Sequence, residues 1–151
     1  MVQIAIIGGG IGGLTAALAL QQSGFEAEVF EQAPELLEVG SAIAIWSNAT
    51  RVLQRLQLVE KILEYAGVVD ELRWMDQNGF LLNRVSISDD KSPSVALHRS
   101  DLHRTLRQAL PQSTIHLGHT LVAHRQQGDK MIATFANGRS VESEFLIGAD
   151  G

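Results

Sequence analysis

Three glycines, Gly8, Gly10 and Gly13, stand between an apolar run, Val2 to Ile7, and a segment of helical character, Leu14 to Gln22. A second apolar run, Ala27 to Phe30, then ends in a lone acid, Glu31. Each of these residue types has a physical task in holding a dinucleotide. Gly8 permits a tight turn out of a buried strand, Gly10 lacks the Cβ that would keep a pyrophosphate off the backbone, and Gly13 lets the helix lie close to the sheet. The start of that helix offers unpaired N–H groups and the positive end of its dipole to phosphate. Glu31, about 20 residues on, stands where a carboxylate accepts hydrogen bonds from ribose hydroxyls. Its charge also repels a 2′-phosphate, which disfavours NADP in this site. A glycine-rich structural turn is the competing reading; strand, helix and acid in this order favour the dinucleotide site.

The elements that must position these residues follow from periodicity and turn chemistry. Small residues around Thr15, Leu18 and Ala19 suit a helix packed tightly on a sheet and ending at Ser23-Gly24. A loop is expected from Pro34 to Gly40, then a short apolar stretch, Ala42 to Trp46. Asn48 reads as the N-cap of a helix with Val52, Leu53 and Leu56 on one face. A shorter helix is expected over Val59 to Tyr65, stopped by Gly67. Glu71 to Asp76 and Phe80 to Ile87 flank Asn78-Gly79, a hairpin signal. After a polar loop, Asp89 to Ser94, Ser100 reads as the cap of a helix with Leu102, Leu106 and Leu110 inward, closed by Pro111. The last forty residues read as β segments: Thr114 to Leu117, His119 to Arg125, Met131 to Ala136, Arg139 to Glu142 after the Asn137-Gly138 turn, and a buried run, Glu144 to Ala149. Repeated βαβ crossovers would look different here, and a β-meander in the crossover points to the dinucleotide fold that holds FAD.

Composition narrows the class. At 151 residues the chain fits one domain with a real core, and 45% hydrophobic with 19% charged residues is ordinary for a globular protein. A net charge of −5, from 12 basic and 17 acidic residues, argues against nucleic acid or an anionic membrane as partner. No apolar run approaches the roughly 20 residues that span a bilayer. The first run has no basic leader or cleavage site, so a core strand is expected there and not a signal peptide. Without cysteine there is no disulfide framework and no thiolate metal site, and cytoplasm is the expected location. The five histidines, His98, His103, His116, His119 and His124, fall in no metal-binding pattern, so no metal is expected.

Four blocks carry a family resemblance: IIGGGIGGLTAALAL (6–20), VFEQAPELLEVGSAIAIWSNATRVLQRL (29–56), HRSDLHRTL (98–106) and ANGRSVESEFLIGADG (136–151). In this order and spacing the chain resembles the N-terminal part of the FAD-dependent aromatic-ring monooxygenases, the group of salicylate, 3-hydroxybenzoate and urate hydroxylases and zeaxanthin epoxidases. The resemblance implies an α/β, Rossmann-like FAD-binding fold with a parallel sheet, a β-meander crossover and the start of a substrate-domain sheet. Residues 1–151 would form the FAD-binding domain as an N-terminal fragment, with 68–97 contributing strands to an incomplete substrate domain. The cofactor-binding positions it implies are Gly8, Gly10, Gly12, Gly13, Glu31, Gln32, Ala44, Arg99, Leu121 and Asp150. Among them, Glu31 would hold the adenosine ribose and Arg99 would reach the phosphate and ribityl region. Leu121 would meet the adenine through its backbone, Asp150 would lie near the pyrophosphate, and Gly40 to Ile45 would run beside the isoalloxazine.

Several positions depart from the family pattern. Gly40-Ser41-Ala42-Ile43 stands where Gly-Ala-Gly-Ile is frequent, the Ala42 variant being found among urate hydroxylase-like members. Ser47 replaces a frequent proline, and Gln57 replaces the glycine of a Leu-Gly-Leu turn. The family's later Gly-Asp motif and most of its substrate domain do not occur in these 151 residues.

The function implied for the intact protein is that of an NAD(P)H-dependent monooxygenase. NADH or NADPH would reduce FAD, O2 would give a flavin C4a-hydroperoxide, and an aromatic or related small molecule would take one oxygen atom. The 151 residues alone would be inactive and hold no recognisable catalytic acid–base pair. The missing C-terminal part would be a further partner. An NAD-dependent dehydrogenase and a non-catalytic FAD-binding fragment are the alternatives. Against the first, Tyr65 is followed four residues on by Val69, not by the lysine of short-chain dehydrogenases. A flavin disulfide reductase is excluded by the lack of cysteine. Trp46 either lines a pocket or packs in the core, with the core preferred, and Trp74 and Met75 are expected to pack against the rest of the protein.

Overall fold

A computed structural model describes residues 2–36, 40–89 and 91–151. The elements run in the order β1 (Val2–Ile7), α1 (Ile11–Gln22), β2 (Ala27–Phe30), β3 (Ala42–Ile45), α2 (Ser47–Arg55), α3 (Val59–Leu63), β4 (Gly67–Val68) and β5 (Glu71–Met75). They continue with β6 (Leu81–Ser86), β7 (Val95–His98), α4 (Arg99–Ala109), a 3-10 turn (Gln112–Thr114), β8 (Ile115–His116), β9 (Leu121–Gln127), β10 (Lys130–Phe135) and β11 (Ser140–Gly148). The chain forms two units, residues 1–38 with 106–151, and residues 39–105. The loop expected from Pro34 to Gly40 lies partly outside the described residues.

The first unit is built on a six-stranded sheet in the order β8-β2-β1-β11-β10-β9. Its β8, β2, β1 and β11 are parallel, while β11, β10 and β9 form an antiparallel meander. One face of the sheet carries a core of Ala5, Ile7, Phe30, Ala133 and Phe135, with Leu121, Val141 and Leu146 packed against it. Ile4 and Ile6 alternate to the other side, as strand pleating requires, and are buried too. A strand buried on both faces reads as a continuous apolar run, which is why β1 was legible.

The last strand corrects the sequence reading. The segments expected at Arg139 to Glu142 and Glu144 to Ala149 are one strand, β11. Ser143 pairs with Met131 on antiparallel β10 and with Val2 on parallel β1, so the first half of β11 closes the meander and the second half extends the parallel sheet. The polar Glu142-Ser143-Glu144 triplet mimics a break, yet Ser143 is 1% exposed while both glutamates face solvent. At the other end, β8 covers only Ile115–His116, with Thr114 in the 3-10 turn. Strand β9 starts at Leu121 and not at His119, because the His119 side chain closes a turn through Nδ1 onto the Leu117 carbonyl at 2.7 Å.

In the second unit, β3 and β4 flank β7 in an antiparallel sheet, and β5 with β6 forms a separate ribbon. The hairpin loop is longer than a two-residue Asn78-Gly79 turn. Asp76 organises it, its Oδ1 accepting from the N–H groups of Asn78 at 2.8 Å and Phe80 at 2.9 Å. Helix α2 is capped by Trp46 and begins at Ser47, so Asn48 lies inside the first turn and is not the cap. Ser47 thus occupies the first helical position, where proline is favoured. Leu53 and Leu56 are buried as expected, but Val52 is 43% exposed, and Trp46, at 45%, is not a core residue. Helix α3 ends at Leu63, short of Tyr65. Helix α4 begins at Arg99, which places Ser100 within it; Leu102, Leu106 and Leu110 are all buried.

Gln57 ends α2 with φ 60°, the left-handed conformation usual for glycine. Its N–H meets the Gln54 carbonyl at 3.0 Å and that of Leu58 meets the Leu53 carbonyl at 2.9 Å, a Schellman closure. A side chain there costs about 1 kcal/mol. Gln57→Gly is therefore expected to stabilise the protein by about 0.5–1 kcal/mol in chemical denaturation.

The one tyrosine, Tyr65, is joined through its hydroxyl to Thr105 Oγ1 at 2.6 Å. Burial raises its pKa above 10.0, against the lowering effect of that hydrogen bond. Because the folded state holds the proton more tightly, this contribution to stability is complete below the unfolded pKa and is lost as pH rises through the folded one. Absorbance titration at 295 nm is expected to show a phenol midpoint above that of the denatured chain. Tyr65→Phe is expected to remove the corresponding alkaline loss of stability.

Candidate functional site

The glycine run that joins β1 to α1 divides into two kinds of position. Gly8 has φ +108°, and its N–H donates to the Phe30 carbonyl at 2.9 Å. A Cβ on Gly8 would collide with the Ala149 carbonyl and lie 2.9 Å from the Asp150 nitrogen. A Cβ on Gly13 would collide with the Gly8 carbonyl. Both glycines are thus demanded by packing. Gly10 and Gly12 are different: a Cβ at either would meet no protein atom within 4 Å. Gly10 caps α1 without a side-chain hydrogen bond, and the first turn carries no acidic residue. The first N–H groups of a helix have no intrahelical acceptor, so this end presents donors and positive potential at an open, Cβ-free surface.

Glu31 lies beside this turn. Its Oε2 accepts from the Gly9 N–H at 2.5 Å and its Oε1 from the Ala33 N–H at 2.9 Å. The carboxylate is thereby held with both oxygens oriented, and each keeps a lone pair for a further donor. Gly9, which sequence reasoning passed over, is the partner that brings Glu31 to the loop. A Cβ on Gly9 would lie 3.0 Å from both Cβ and Oε2 of Glu31. The signal was present in the unbroken Gly8-Gly9-Gly10, whose middle member is not needed by the G-x-G-x-x-G spacing.

Of the remaining expected positions in this unit, Asp150 lies against the glycine turn. It stands two residues beyond the end of β11, its backbone against Gly8, and the Ala149 N–H donates to the Ile7 carbonyl at 2.7 Å. Gln32 is exposed in the loop after Glu31. Leu121 opens β9 with its side chain against the core, which leaves its main chain as the part that can face a ligand. Ala44 and Arg99 belong to the other unit. Ala44 is exposed on β3, paired with Ala96 of β7. Arg99 is exposed at the start of α4; its N–H donates to the Ser41 carbonyl at 3.1 Å. Among the described residues its guanidinium has no hydrogen bond or ion pair, at the helix end where a cation is least favoured. Gly40 abuts it, since a Cβ there would lie 3.0 Å from Arg99 Cβ. Among the described residues, no three of His, Cys, Asp and Glu gather as a metal-binding set, and no helix is long and apolar enough to cross a membrane.

A parallel sheet joined to a meander, with a cofactor-shaped glycine turn at the sheet's carboxyl edge, defines a dinucleotide-binding domain of the FAD type. The chain belongs to the FAD binding domain family, which it matches over residues 1–151. It is 35% identical to a 3-amino-4-hydroxybenzoate 2-monooxygenase of Streptomyces platensis, over 99% of this chain and 39% of that protein. It is 31% identical to a 6-hydroxynicotinate 3-monooxygenase of Pseudomonas fluorescens, over 99% of this chain and 40% of that protein. Among solved structures, Klebsiella pneumoniae HpxO complexed with FAD and uric acid superposes with a TM-score of 0.86 at 29% identity, over 99% of this chain and 39% of that one. The chain therefore spans about 40% of the length of the curated relatives it matches.

The glycines separate packing from ligand approach in a way that stability measurements can read. Gly13→Ala is expected to destabilise the fold by about 3 kcal/mol, the upper end of overpacking costs, because a backbone carbonyl cannot move aside cheaply. Gly12→Ala, in open space within a helix, is expected to leave stability unchanged or raise it by up to about 1 kcal/mol. Thermal or urea denaturation of the two variants checks the contrast.

Proposed function

We propose that this chain forms the FAD-binding part of an NAD(P)H-dependent flavoprotein monooxygenase that hydroxylates an aromatic or related small molecule. The observation that carries the reading is the joint arrangement of an uncapped α1 N-terminus, open at Gly10 and Gly12, with a Glu31 carboxylate fixed beside it. The α1 N-terminus and the Asp150 main chain suit a pyrophosphate, and Glu31 suits a ribose diol. Gln32 lies next to that acid. The Leu121 backbone suits the adenine. Arg99 carries a charge that a phosphate would satisfy, and the Ala44 stretch is assigned to the isoalloxazine side. When bound, FAD supplies the redox and oxygen chemistry, and the residues of this chain bind it and orient it. NADH or NADPH is the proposed transient reductant; O2 as co-substrate accords with the monooxygenases the chain resembles. A cytoplasmic location agrees with a cysteine-free sequence.

Residues 68–97 are proposed to contribute strands to a substrate domain. The ribbon of β5 and β6 supports this, with Trp74, Met75, Leu81 and Leu82 exposed by 48%, 54%, 56% and 69%. These are large apolar side chains left in water, a pattern that marks surfaces meant to be covered.

Visible absorption after adding FAD and desalting tests the reading, with NAD titrated in parallel. Retained flavin bands and no competition by NAD are expected. Glu31→Gln, which replaces an ionised acceptor by a neutral one, is expected to weaken FAD binding about tenfold or more. Gly12→Ala is expected to weaken it as well while the fold holds. Tight NAD binding with loss of all flavin would replace the monooxygenase reading by a dehydrogenase. A bound flavin that neither nicotinamide reduces, in the full-length protein, would leave a binding role alone.

A further inference from the structure

The carboxylate of Glu31 is held by the glycine loop, but its backbone is held from elsewhere. The Glu31 N–H donates to the His116 carbonyl at 2.9 Å, and the Glu31 carbonyl accepts from the His119 N–H at 2.8 Å. Two residues beyond Glu31, the Ala33 carbonyl accepts from the Gly118 N–H at 3.0 Å. The segment 116–119 therefore grips the acid-bearing loop at three main-chain points.

His119 is the pivot of that segment. It is 7% exposed, its ring meets Phe135 edge-on at 5.0 Å and Phe30 at 5.6 Å, and Nδ1 lies 2.7 Å from the Leu117 carbonyl. A carbonyl only accepts, so Nδ1 carries the proton and donates. That bond fixes the ring and closes the turn that aims the His119 N–H at Glu31. From the other side, Asn137 Nδ2 donates to the Gly118 carbonyl at 2.9 Å and ties the segment to the β10–β11 turn.

We infer that His119 is a positioning residue for the adenosine end of the cofactor: by donating from Nδ1 to the Leu117 carbonyl it holds the turn that sets the Glu31 carboxylate. The inference rests on the FAD-binding reading and adds to it a residue that touches no part of the cofactor. Its consequence is selective. Loosening this turn weakens recognition of the half of FAD that carries adenosine and leaves the flavin half alone.

The test is binding of FAD, ADP and FMN to the full-length protein and its variants, by calorimetry or flavin fluorescence, with thermal denaturation in parallel. His119→Phe keeps a ring between Phe30 and Phe135 but has no donor; it is expected to weaken FAD and ADP by the same factor, about five- to tenfold, with FMN unchanged. His119→Asn retains a donor near the Nδ1 position and is expected to recover most of the ADP affinity, though with a lower Tm. Asn137→Ala changes an exposed residue and decides the matter if the core variant does not fold, with an expected two- to threefold loss for FAD and ADP and none for FMN. A folded His119→Phe that binds ADP like the parent, or an equal loss for ADP and FMN, would overturn the inference. Failure of the parent protein itself to bind FAD or ADP would overturn the FAD-binding reading instead.

Discussion

The Gly13 Cα lies so close to the Gly8 carbonyl that no side chain fits between strand and helix, and the site depends on this approach. It fixes where α1 begins relative to β1. Were the helix displaced by a methyl group, its first N–H groups would no longer converge on the surface left bare by Gly10 and Gly12. The Gly8 turn is pressed in addition by Ala149 and Asp150 from the end of β11. Residues separated by some 140 positions in sequence thus share one small volume, and the glycine turn can be correct only when the last strand is in place.

That requirement gives β11 its double pairing. Its second half runs parallel to β1 from Ser143 to Gly148 and delivers Ala149 to the turn; its first half pairs with β10 and closes the meander. A break at residue 143 would uncouple the two. The Ser143 hydroxyl is fully buried without a hydrogen-bond partner among the described residues, and nothing in the structure explains that choice of side chain. Continuity at this point nonetheless joins the meander to the parallel sheet as one surface, on which Phe135 and Phe30 stack at 5.2 Å.

Much of the first unit was legible because its signals are local. Mostly apolar runs, each broken by a single polar residue, mark β1 and β2, and the glycine spacing marks the turn. The errors fell where tertiary pairing overrides local pattern. Glu142-Ser143-Glu144 reads as a gap until two neighbouring strands are seen to use Ser143 together. Asn48 reads as a cap because its side chain could be one, whereas the chain enters α2 two residues earlier through Trp46. Gln57 departs from the glycine of the family pattern, and the left-handed φ gives that departure a physical cost. Gly9 was missed because its role is to receive a side chain 22 residues away, and no spacing rule encodes that contact.

The ribbon of β5 and β6 poses the opposite problem, since its elements were legible and its surroundings were not. Leu81 and Leu82 are consecutive, so they point to opposite faces, and both are more than half exposed. A soluble two-stranded ribbon would place polar residues on at least one face, and an isolated ribbon is marginal in water at best. Glu71 pairs with Arg73 on its own strand and with Arg84 across the ribbon, but such exposed pairs contribute little to stability. Neither the hairpin loop nor these pairs accounts for apolar side chains on both faces. Burial on both faces would, and that is the physical ground for the proposal that the ribbon belongs to a larger sheet.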